Sequence, residues 1–134
     1  MQLPNMLMRN IDMPDMQGAW SQTAPPLIRH IDLNEQLVPN QPNTFYLRVN
    51  TDCMSGAGIS AGDMLIVDRS LTAANGKVII AQLDGELLVR YYEKHRGKQR
   101  LVPATATLAA IEIDAATNFE VWGVVTYVIR KVGG

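Results

Sequence analysis

The chain has 134 residues, enough for one domain with a real core and too few for two. Its 47% hydrophobic and 19% charged content is ordinary for a globular protein, and a net charge of −1 gives no field to draw it onto nucleic acid or an anionic membrane. No apolar run approaches the roughly 20 residues that span a bilayer. Residues 1–16 lack the cationic-then-apolar pattern of a secretory signal. Cys53 is the single cysteine, so no internal disulfide can form, and a lone thiol fits a reducing, cytoplasmic setting.

Six of the seven prolines and five of the seven methionines lie before residue 43. Proline fixes φ and removes a donor, so residues 1–38 are expected to form an irregular N-terminal arm. Its apolar residues, among them Leu3, Met6, Leu7, Ile11 and Trp20, are too many for a purely solvating tail. An arm of that kind lies on a surface, its own or a partner's.

Residues 39–134 read as a β-rich domain. Asn43 to Asn50 alternates Phe45, Leu47 and Val49 with polar or amphipathic neighbours, the period of a half-buried strand. Met64 to Val67 is a short continuous apolar run, the mark of a strand buried on both faces. Lys77–Leu83 and Glu86–Lys94 flank Asp84-Gly85, a strong hairpin signal. A second turn around Gly97 leads to Arg100, Leu101 and Val102. Phe119 to Val132 is a long β-branched and aromatic run. Helix is confined to short turns near Cys53–Gly56 and Ser70–Ala74. The expected class is mainly β, a folded sheet or partial barrel. The basic stretch Lys94–Arg100 reads as a solvated hairpin tip rather than a phosphate-binding patch. His30 and His95 have no metal-ligand company, and no cofactor is called for.

The stretch Gly58-Ile59-Ser60-Ala61-Gly62-Asp63-Met64-Leu65-Ile66-Val67-Asp68, followed by Thr72-Ala73 and Gly76, resembles the LexA/UmuD self-cleaving, signal-peptidase-like family. Ile31–Asn34, Asp84-Gly85-Glu86, Leu101-Val102-Pro103 and Val121–Val125 add to the resemblance, which covers about residues 17–132. It implies the C-terminal-domain fold of that family, a homodimer, and SOS-induced work beside an error-prone Y-family polymerase (UmuC-like) in translesion synthesis. It also implies self-cleavage of the arm on contact with a RecA filament, by a serine nucleophile and a lysine base. The proline-rich residues before the domain cannot form a helix-turn-helix, so the UmuD type is expected over a DNA-binding repressor. A membrane signal peptidase would need an anchor.

Three positions depart from the family pattern. The nucleophile position of Gly-Asp-Ser-Met falls on Cys53 in Thr51-Asp52-Cys53-Met54, the base position falls on Arg90, and the scissile bond falls on Gln17-Gly18. A lysine desolvated by burial can act as base. A guanidinium keeps its proton and cannot take one. Without resemblance to guide it, Cys53 would read as a small core hydrophobe and Arg90 as a salt-bridged sheet-edge residue. The expected function is a UmuD-like accessory subunit with self-cleavage lost or weakened. The alternatives are an active cysteine-type self-peptidase, or an inhibitor that forms heterodimers with UmuD-like partners.

Overall fold

The computed structural model describes residues 30–133, so the arm through residue 29 and the Gln17-Gly18 bond lie outside the described residues. Seven strands run in chain order: β1 (Thr44–Arg48), β2 (Met64–Asp68), β3 (Val78–Leu83), β4 (Glu86–His95), β5 (Lys98–Val102), β6 (Ile111–Ile113) and β7 (Phe119–Ile129). They form one sheet in the order β1-β2-β7-β3-β4-β5-β6, with every neighbouring pair antiparallel. β1 and β6 are its two edges, so the sheet is folded but does not close into a barrel.

The fold in the sheet comes from β7. Across from β2 its register skips Thr126, and across from β3 it skips Trp122, so β7 carries two bulges. A bulge bends its strand and sharpens the local twist. Side chains take up the interrupted pairing: Arg69 Nε donates to the Trp122 carbonyl at 2.7 Å, and Thr126 Oγ1 donates to the Ile66 carbonyl at 3.2 Å. The bent sheet thereby divides its apolar residues into two clusters. Ile80 and Val89 join Val49, Cys53, Met54, Ile59, Leu65 and Val67, while Ile79 and Ala81 turn the other way to meet Tyr92, Leu101 and Val124. Period-two alternation along β3 is the reason one strand serves both. β2 is buried at Leu65, Ile66, Val67 and Asp68, as its unbroken apolar run requires.

Both hairpin turns have two successive residues at positive φ: Asp84 (50°) with Gly85 (86°), and Arg96 (51°) with Gly97 (79°). That is the turn whose twist matches the flanking strands. The basic tip is exposed, and Arg100 is drawn back between Glu93 at 2.8 Å and Glu112 at 3.6 Å across three strands.

Two local expectations need correcting. Residues expected to be irregular include one helical turn, α1 (Leu33–Leu37), closed by Val38 N–H to the Asn34 carbonyl. The five residues contain no proline, and Glu35 sits in the first turn, where negative charge suits the helix dipole. Ser70–Ala74 is not helical; Asp68 accepts from the N–H and hydroxyl of Ser70 and fixes a tight turn instead. The helical turn near Cys53 is a 3-10 turn at Ser55–Ala57. β6, which no periodicity announced, is the other addition. Among the described residues no helix is long and apolar enough to cross a membrane.

Candidate functional site

A cleft of about 340 Å³ opens where β5 parts from β4. β5 pairs with β4 only from Tyr91 to His95, which leaves the β4 segment Glu86–Arg90 without a neighbour on that side. Pro103, buried, ends β5, and the chain turns to a new partner: Ala104 N–H donates to the Cys53 carbonyl at 2.9 Å, and Gly56 N–H donates to the Ala104 carbonyl at 2.8 Å. A Cβ at position 56 would lie 2.5 Å from that carbonyl oxygen, so glycine is required there by close approach. The loop after β1 crosses the mouth of the cleft and presents Thr51 and Cys53.

Cys53 is 6% exposed and Met54 fully buried beneath it. From the sheet side, Arg90 curls over the open edge of β4. Its Nη1 donates to the carbonyl of Val89 at 2.8 Å and lies 2.9 Å from Cys53 Sγ. Residues 37 positions apart are thus brought into direct contact. The salt-bridged alternative for Arg90 does not occur among the described residues: its partners are a thiol and a carbonyl. Arg90 Nε is buried and has no acceptor among the described residues. In an aliphatic setting a lysine would carry a methylene at that point, so the surroundings suit a lysine stem better than an arginine one.

Chemically the pair is a thiol beside a permanent cation. A guanidinium has five donors and no acceptor, so it can neither take a proton from the attacking group nor hand one to a leaving amine. Arg90 therefore offers electrostatic help without acid–base exchange. Gln17-Gly18, the expected scissile bond, lies outside the described residues.

The resemblance-bearing stretch turns out to be the clasp that holds the Cys53 loop. Asp63, 2% exposed, accepts two bonds from Arg130, Nε to Oδ1 at 2.8 Å and Nη2 to Oδ2 at 2.7 Å. It also accepts the Ser60 N–H at 2.8 Å. The Arg130 guanidinium, with help from that amide, lowers the Asp63 pKa from 3.8 to about 2. Arg130 Nη2 reaches on to the Gly58 carbonyl at 3.0 Å, and Asp52 Oδ1 accepts the Ala61 N–H at 3.0 Å. Arg130 was not singled out from sequence, because a lone arginine after a strand carries no local signal. Thr51 was read only as a motif position, yet its Oγ1 accepts the Cys53 N–H at 3.2 Å. Among the described residues no cluster of His, Cys, Asp or Glu could hold a metal ion.

Residues 16–126 match the family model described as Peptidase S24-like. The chain is 34% identical over 100 residues to Protein MucA of Salmonella typhimurium, covering 74% of this chain and 68% of that one. It is 32% identical over 103 residues to Protein ImpA of Salmonella typhimurium, covering 77% and 70%. It is 30% identical over 102 residues to the LexA repressor of Bordetella petrii, covering 76% of this chain and 45% of that one. The chain spans about half the length of the LexA repressors it matches. With the model match covering most of its length, the chain belongs to the Peptidase S24-like, LexA/UmuD family.

Proposed function

We propose that the chain is a UmuD-like accessory subunit of a Y-family translesion polymerase, made in the SOS response, with self-cleavage lost or severely weakened. In this reading residues 1–38 are the arm, residues 39–134 the β-rich peptidase-like domain, and the working form is a cytoplasmic homodimer. The likeness to Protein MucA and Protein ImpA, at 34% and 32% identity, supports the UmuD type.

One observation carries the loss of cleavage: the group at the base position, 2.9 Å from Cys53 Sγ, is a guanidinium. General acid–base help contributes about 10²–10⁴ in rate, and Arg90 supplies none of it. Gln17 adds a longer polar side chain where a small residue fits the family's cleavage site. RecA filaments then act on this chain as a binding partner and not as a trigger.

Two measurements test the reading. Incubation of the purified chain with an activated RecA filament should leave it intact by mass, and co-expression with a UmuC-like polymerase should recover a complex. A fragment beginning at Gly18 would overturn the first half and favour the second reading, a cysteine-type self-peptidase. The contact between Arg90 and Cys53 is the observation on that side, since sulfur is intrinsically a stronger nucleophile than a hydroxyl oxygen. Failure to bind any Y-family polymerase would overturn the accessory role.

A further inference from the structure

We propose that Thr51 is a positioning residue that withholds the Cys53 N–H from an oxyanion, a brake on acyl chemistry separate from those at positions 17, 53 and 90. The proposal deepens the reading above and rests on Cys53 occupying the nucleophile position.

When Sγ attacks a carbonyl carbon, the carbonyl oxygen becomes an anion, and the backbone N–H of the attacking residue is a natural donor to it. One such donor contributes about 10²–10³ in rate. Here that N–H is already committed to Thr51 Oγ1 at 3.2 Å. Thr51 is half-buried and lines the same cleft as Cys53 and Arg90. A β-branched side chain has little rotamer freedom, so the hydroxyl does not swing aside cheaply. Glycine, which the family pattern has at this position, would offer no acceptor.

The direction of the N–H does not depend on Thr51. The carbonyl of the same peptide plane, that of Asp52, accepts the Ser55 N–H at 3.1 Å, and the Cys53 carbonyl accepts the Ala104 N–H at 2.9 Å. Removing the hydroxyl therefore frees the donor while the loop keeps it aimed.

Two reagents separate this role from a steric one. With p-nitrophenyl acetate, Sγ forms a bond to the acetyl carbon, the oxyanion collapses, and p-nitrophenolate leaves with the C–O electron pair while the thiol proton passes to solvent. With iodoacetamide, Sγ displaces iodide at a tetrahedral carbon and no oxyanion forms. Thr51→Ala should raise the ratio of acylation to alkylation by about tenfold or more, with alkylation itself little changed. Thr51→Ser, smaller than threonine but still an acceptor, should keep the original ratio. If Thr51→Ala fails to fold, Thr51→Val keeps the volume, lacks the acceptor and should show the same rise. The proposal is overturned if both rates rise together, if Thr51→Ser matches Thr51→Ala, or if the ratio does not move. Neither reaction involves a polymerase or RecA, so failure here and failure of the accessory role are read separately.

Discussion

At position 90 a lysine stem would put a methylene where arginine puts Nε, and that Nε is buried without an acceptor among the described residues. An unpaired buried donor costs about 1–3 kcal/mol. Arg90→Lys should therefore leave stability unchanged or raise it by about 1 kcal/mol in urea unfolding, even though it gives up a guanidinium. A loss of stability would show that the bond to the Val89 carbonyl outweighs the unpaired Nε. The same substitution matters for chemistry. Cys53→Ser with Arg90→Lys rebuilds a hydroxyl beside a titratable amine, and Gln17→Ala shortens the side chain at the cleavage site. The triple variant should cleave slowly at alkaline pH to a core beginning at Gly18, while Cys53→Ser alone stays inert because a guanidinium takes no proton. A folded triple variant that stays intact at high pH and with activated RecA would mean the arm does not reach the cleft.

The loop from Val49 to Asp63 is an element with two anchors, and each predicts a different loss. Asp63 has a folded-state pKa of about 2 against 3.8, lowered chiefly by Arg130. A depressed carboxylate stabilises the fold fully above its unfolded pKa and loses that contribution as pH falls through the folded value. The stability gap between the native chain and Asp63→Asn should thus be constant above about pH 5, begin to close near pH 4 and be largely gone by pH 2. A gap that persists unchanged at pH 2 would assign Asp63's role to neutral hydrogen bonding. The second anchor is the close approach of Gly56 to Ala104. A methyl group at position 56 meets a backbone oxygen at 2.5 Å, and backbone cannot move aside as a side-chain end can. Gly56→Ala should cost about 1–3 kcal/mol and raise the alkylation rate of Cys53 as the loop lifts.

At the scale of the molecule, the sheet leaves apolar surface uncovered at its β1 end. β1 pairs on one side only, and Phe45 is 41% and Tyr46 55% exposed. Across β2, Tyr127 and Ile129 of β7 share the Tyr46 face at 38% each, while Phe45 turns to the opposite face. Phe45 is partly occupied by the Trp122 ring at 5.4 Å, whose face carries the Arg69 guanidinium at 4.3 Å. Among the described residues Tyr46 has no such ring contact. A short edge strand with exposed aromatics suits symmetric pairing of two copies. Sedimentation at micromolar concentration should give a dimer, and Tyr46→Glu should shift it toward monomer. A native chain that sediments only as monomer would refute this.

Local chemistry in the sequence determined the strands of the central sheet and both hairpin turns. Alternation in β1, the unbroken run in β2, Asp84-Gly85 and the Gly97 turn each act over a few residues, and each could be read there. Alignment with a known pattern also brought Cys53 and Arg90 to one site, since the spacing of that pattern encodes a fold already. β6 escaped notice because three residues are too few to show a period. Only the tertiary structure decided what the site can do. The Asp63–Arg130 clasp joins residues 67 apart, and the unpaired Nε of Arg90 depends on what surrounds its stem. The bulges at Trp122 and Thr126 exist only relative to the strands they face. Such features arise from groups that meet in space after the chain has folded, and sequence proximity carries no record of them.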